Sequence, residues 1–180
     1  MATQSNEGTV TQAVERLKSF VETKEGMSVE FSAPVDAEAV AGLEAKYKLK
    51  LPPSYVRFIT TLGTFKVEYG GQELIGMEEP GLLRAAAPDP SDAVDGDDSE
   101  VADAINQALF FQRRDDDSVE NFWCFNPRAR SAEGELAVVA YSHDEAFSLP
   151  EGEADAEDFR DFSTHIVKVI DDFIETYAEA

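Results

Sequence analysis

Apolar positions across residues 51–63, LPPSYVRFITTLG, recur at helical spacing: Tyr55, Phe58, Ile59 and Leu62 fall at i, i+3, i+4 and i+7. Pro52 and Pro53 stop the preceding segment and suit a first helical turn, where a missing N–H leaves nothing unpaired. Gly63 fits the left-handed position that ends many helices. The period then drops to two. Phe65, Val67 and Tyr69 alternate with Lys66 and Glu68, which predicts a strand over Thr64–Tyr69, a turn at Gly70-Gly71 and a second strand over Gln72–Ile75.

The same reading extends both ways. Residues 1–8 read as a loose tail. Thr9 and Gln12 have capping-box spacing, and Val14, Leu17 and Val21 give a first helix ending near Gly26. Val29 and Phe31 suggest a short strand. Pro34 and Asp36 open a second helix with Val40, Leu43 and Tyr47 inward. Lys46, Lys48 and Lys50 suit that helix's C-terminal end, where cations are favoured. Leu82-Leu83 is expected to touch the core. Residues 86–99, with prolines and five Asp, read as an acidic loop and the best candidate for a mobile insertion. Val101, Ile105 and Leu109 predict a helix and Phe110-Phe111 a strand closing at Arg113-Arg114. Phe122 to Phe125 predicts another strand, broken at Asn126-Pro127, with a loop from Arg128 to Gly134. Leu136 to Tyr141 is apolar enough to be a central strand. Residues 150–158 are acidic loop. A closing helix over about Asp158–Ala178 carries Phe159, Phe162, Ile166, Val169, Ile170, Phe173 and Tyr177 on one face. Together these predict an α+β fold. It is a single domain over residues 9–180, with a mainly antiparallel mixed sheet of about five or six strands, helices on one side and a C-terminal helix.

Several of these stretches resemble the SUKH superfamily, the family of the yeast cell-wall regulator and of many bacterial toxin-immunity proteins. The likeness rests on the Pro52-Pro53 pair, Tyr55, Phe58 and a Gly-ended helix running into a strand. An acidic turn, the strand Phe122-Trp123-Cys124-Phe125, a strand of the VVAY kind followed by His143-Asp144, and a last helix with Phe159 and Phe162 add to it. The family usually has Asn-Gly at the helix end; here it is Leu62-Gly63. The resemblance covers about residues 10–178 and implies a recognition scaffold without catalytic residues. For the immunity branch it implies a toxin partner, often a nuclease; for the yeast branch, a cellular scaffold or regulator.

Charge changes the picture most. The 180 residues hold 15 basic and 37 acidic side chains, a net charge of −22. Residues 1–90 hold 9 basic and 13 acidic, net −4, which leaves 6 and 24, net −18, for residues 91–180. Such a field repels phosphate backbones and anionic lipid, so neither nucleic acid nor a membrane is an expected direct partner. It favours fast capture of a basic protein. Solubility or a salt-adapted source would give the same composition. The expected contact residues are Asp95, Asp97, Asp98, Glu100, Asp115, Asp116, Asp117, Glu120, Asp144 and Glu145.

Chemistry is scarce. Two histidines and the lone Cys124 do not make a zinc constellation, and one cysteine suits a reducing compartment. No basic-then-apolar leader opens the chain and no apolar run approaches membrane length, so a cytoplasmic location is expected. Asp95, Asp97 and Ser99 begin with calcium-loop spacing, but Glu100 and Asn106 stand where Gly and a bidentate Glu are needed. His165 reads as a boundary residue on the last helix and His143 as a strand-end turn. Trp123 and Cys124 read as core. No catalytic residue, metal or cofactor is expected. An enzyme with an unrecognised carboxylate pair is the remaining alternative, because 37 acids bring some together by chance.

Overall fold

The computed structural model describes residues 3–92, 99–116, 119–143, 147–151 and 159–178. Its elements, in order, are α1 (Thr3–Glu22), β1 (Met27–Phe31), α2 (Ala37–Tyr47), α3 (Pro53–Thr61), β2 (Phe65–Tyr69), β3 (Gln72–Gly76), α4 (Ser99–Gln107), β4 (Leu109–Asp116), β5 (Val119–Arg130), β6 (Leu136–Ser142) and α5 (Phe162–Ala178). Two 3-10 turns, Pro80–Leu82 and Pro90–Asp92, lie between β3 and α4. The class is α+β in one domain, with every strand pair antiparallel. The strands divide into two sheets, β1-β2-β3 and β4-β5-β6. Glu78 N–H donates to Phe111 C=O at 2.8 Å where the two sheets meet.

The expected strand–helix junction is present. Gly63 adopts φ +81°, and Gly70 and Gly71 adopt +59° and +85° in the β2–β3 turn. A Cβ on Gly63 would lie 2.3 Å from the Ser32 carbonyl oxygen, so close approach and backbone sign both require glycine there. Tyr55, Phe58 and Ile59 are buried and meet Phe111, Phe125 and Phe162 in an aromatic cluster.

The second sheet has helices on both faces instead of one. Consecutive residues of β4 point opposite ways. Phe111 enters the main core, stacked on Phe125 at 4.3 Å. Phe110 enters a second cluster with Val101 and Ile105 of α4, Phe122, Cys124 and Tyr141. This explains why β6 reads as central yet is an edge strand. Leu136 and Val138 pack on one core, Val139 and Tyr141 on the other. Its apolarity reports two covered faces, not two neighbouring strands. Its outer edge is met by Arg160, whose carbonyl accepts from Val138 N–H at 2.8 Å.

Other boundaries differ for local reasons. α1 begins at Thr3, so residues 3–8 are helical and not a loose tail. α4 ends at Gln107, and Leu109 belongs to β4. β4 runs on to Asp116, past Arg114. β5 continues through Pro127 to Arg130 because the register shifts between Asn126 and Arg130, and proline is tolerated at such an irregularity. Buried Asn126 holds the bend, accepting from Arg128 N–H and donating to Pro150 C=O at 2.8 Å. α5 starts at Phe162, after Asp161, whose carboxylate accepts from Thr164 N–H at 2.7 Å. Leu83 is buried, whereas Leu82 is exposed.

The lysine group serves the C-terminal end of α2 as expected, with Lys46 in its last turn and Lys48 at its cap. Lys48 takes the left-handed cap of α2 at φ 54°, Lys46 donates to Gly81 C=O, and Lys50 pairs with Glu44. α1 and α5 run side by side in the same sense, Arg16 pairing with Asp171 and Lys24 reaching Ala178 C=O. Among the described residues no helix is long and apolar enough to cross a membrane.

Candidate partner-binding surface

The far end of the β4–β5–β6 sheet collects several of the expected acidic positions. The β4–β5 register sets Asp115 opposite Glu120 and Asp116 opposite Val119. Asn121 pairs with Ser142, so β6 ends at the same end of the sheet, with His143 following it. Glu100 is exposed in the first turn of α4, where a carboxylate favours the helix dipole. Asp95, Asp97, Asp98, Asp117, Asp144 and Glu145 lie outside the described residues.

A second acidic face was not among those positions. Ser28, Glu30, Lys66 and Glu68 share the solvent side of the β1–β2–β3 sheet. Lys66 is held there by Glu68 at 2.8 Å and Glu30 at 3.4 Å. These carboxylates raise the lysine's pKa. Gly76 leaves room for the Glu73 carboxylate, which lies where a Cβ on residue 76 would be. A groove of about 340 Å³ at the Phe31–Phe65 end is lined by Glu30, Glu73 and Glu79 with Lys66 as its cation. Burial, then the neighbouring Glu73, push the Glu78 carboxyl above its ordinary range, while Arg113 pulls it back. The signal was present in the alternation of MSVEF and FKVEY. A net charge summed over half the chain does not carry that signal, which lies in the strand face.

Beneath these surfaces the titratable groups are structural. His165 is not at a boundary; it is 1% exposed, on the same stripe of α5 as Phe162 and Ile166. Its Nε2 lies 2.7 Å from Gln112 Oε1, and its ring packs on Phe111 and Trp123. Burial, with a smaller push from Arg160 and against Asp172, lowers its pKa to about 3. His143 Nδ1 lies 3.4 Å from the Tyr141 hydroxyl. Cys124 is buried with its thiol toward Val139 C=O, and burial pushes that thiol up. Trp123 is half-buried against the main core.

The Pro52-Pro53 motif is completed from far away. α3 has no side-chain cap of its own. Glu135, in the β5–β6 turn, accepts from Ser54 N–H at 2.9 Å and from Ser54 Oγ at 2.7 Å. Arg130 fixes that turn by donating to Gly134 C=O and to Lys50 C=O at 2.6 Å. Burial raises the Glu135 carboxyl above its usual range, against the two Ser54 bonds. Beside this motif, a cavity of about 250 Å³ between α1, α3 and the start of α5 is lined by Val10, Ser54, Arg57, Phe58, Leu62 and Phe162 among others. Among the described residues no carboxylate, histidine or cysteine lines it. Among the described residues no three His, Cys, Asp or Glu side chains are grouped as metal ligands.

A comparison with curated proteins finds no match. The family model described as SMI1 / KNR4 family (SUKH-1) matches residues 34–174, from the start of α2 through most of α5.

Proposed function

Since the chain belongs to the SMI1/KNR4 family (SUKH-1), we propose that it is a non-enzymatic binding module, an immunity protein that neutralises a cognate toxin by direct contact through an acidic surface. The observation that carries this reading is the net charge of −22. An acidic protein is suited to occlude the basic face with which a nuclease grips phosphate. The contact surface comprises Asp95, Asp97, Asp98, Glu100, Asp115, Asp116, Asp117, Glu120, Asp144 and Glu145. The register that sets Asp115 opposite Glu120, with the end of β6 alongside, supports treating several of them as one patch. The protein acts in the cytoplasm, where such a toxin would otherwise act.

The test is the association rate with a toxin domain whose gene adjoins this one, where such a gene is found, measured by stopped flow as salt rises. Electrostatic steering raises association rates by roughly 10- to 1000-fold, and screening removes that gain. The expected result is a steep fall in on-rate with salt, and a slower rate at low salt after Asp115→Lys and Asp116→Lys. An on-rate that stays flat across the salt range refutes the electrostatic mechanism.

A further inference from the structure

Among the described residues, one edge of β1 has no strand beside it. Ser32 N–H donates to Thr64 C=O at 2.8 Å, and Gly70 N–H to Gly26 C=O at 3.2 Å. With the β1–β2 register, this turns the backbone groups of Ser28 and Glu30 toward β2. The N–H and C=O of Val29 and of Phe31 therefore point the other way, and no described strand pairs with that side. Elsewhere a backbone bond leaves the sheet: Glu78 N–H, just past β3, bonds Phe111 C=O, Phe110 N–H in β4 bonds Leu83 C=O, and Val138 N–H in β6 bonds Arg160 C=O.

The two faces flanking this edge are chemically distinct. On the solvent side stands Glu30, next to the groove of Glu73 and Glu79. On the other side are half-buried Val29 and Phe31, with Lys18 of α1 5.2 Å from the Phe31 ring. A second copy is a poor occupant, because it would bring another −22 charge and a second Glu30 to the same edge. We propose that β1 is a docking edge for an extended basic segment of a partner protein, which adds as a strand beside Val29 and Phe31. Its basic side chains point to Glu30 and the groove, away from Lys18, and its alternate apolar side chains point to the α1 side. Main-chain bonds supply affinity and the alternation supplies selectivity. This rests on the binding-module reading above and adds a seat to it: the acidic second half attracts the partner, and the β1 edge fixes it.

The probe is a short synthetic peptide in which lysine and valine alternate. Its control has the same composition with the lysines grouped. Both are titrated into the full chain while amide exchange at Val29 and Phe31 is followed by NMR. The alternating peptide is expected to slow both amides by about tenfold or more, and the grouped peptide to leave them unchanged. Val29→Pro removes the outward N–H at a position where proline is tolerated, and is expected to abolish this binding without altering the remaining amides. Glu30→Lys is expected to weaken it by about fivefold or more. Salt-sensitive binding without protection at Val29 and Phe31, or binding that survives Val29→Pro, overturns the edge while leaving the acidic-surface reading standing. No salt-sensitive binding of either peptide defeats both. A dimer that Val29→Pro abolishes assigns the edge to a second copy and overturns the proposal.

Discussion

His165 makes the stability of this protein depend on pH in a way its carboxylates do not. The ring is 1% exposed, between Phe111 and Trp123, and its Nε2–H donates to Gln112 Oε1 at 2.7 Å. Nδ1 has no hydrogen-bond partner among the described residues. Burial, helped by Arg160, disfavours the charged ring more than Asp172 favours it, which is why the pKa falls from 6.5 to about 3. The unfolded chain takes up a proton below pH 6.5; the folded chain does not until about pH 3. This contribution is therefore complete above pH 6.5 and is lost as pH falls toward 3. The slope approaches ~1.4 kcal/mol per pH unit, and the total reaches up to roughly 5 kcal/mol. Urea unfolding of the wild type and of His165→Gln, across mildly acidic pH, isolates the effect. Glutamine can keep a bond to Gln112 and cannot titrate, and subtracting the two curves removes the shared protonation of 37 acidic side chains. The wild type is expected to lose its advantage over His165→Gln progressively below pH 6.5. A difference between the two that stays constant from about pH 6.5 to about pH 4 refutes a neutral, desolvated His165.

Substitutions at three further positions test the packing. Glu135→Ala removes both bonds to Ser54 and should lower urea stability by about 1–2 kcal/mol, as for loss of a helix cap, with Glu135→Gln restoring much of it. Because the Glu135 carboxyl is raised, its contribution is full below the ordinary carboxyl range and declines as pH rises through the folded value; Glu135→Gln should flatten that dependence. Gly63→Ala meets the Ser32 carbonyl at 2.3 Å and a positive φ, and a loss of about 2 kcal/mol or more is expected in the same assay. Tyr55→Phe removes a buried hydroxyl that has no partner among the described residues, and should raise stability by about 1 kcal/mol. A clear loss would mean that the hydroxyl is paired.

Periodicity made most elements legible before any coordinates. The stripe Tyr55, Phe58 and Ile59, the left-handed Gly63 and the alternation from Phe65 to Tyr69 are local signals, and local geometry satisfies them. The misses required a partner distant in sequence. Nothing near Pro52 announces Glu135 as its helix's cap. Nothing near Leu136 distinguishes two packed faces from two paired edges. The burial of His165 is a local signal too, since its spacing from Phe162 and Ile166 puts it on the buried stripe of α5. The expected binding surface was legible only as composition. A sum of charges does not say which carboxylates share a strand face, as Glu30 and Glu68 do around Lys66.

The link between Ser54 and Glu135 spans 81 positions of chain. Ribosomes add about 5–20 residues per second, so roughly 4–16 s separate the synthesis of Ser54 from that of the residue that caps its helix. During that interval the nascent chain carries an aromatic half-core awaiting Phe111, Phe125 and Phe162. A premature stop before residue 111 would release a fragment lacking all three rings, with that sticky surface bare, a natural substrate for chaperones and proteases.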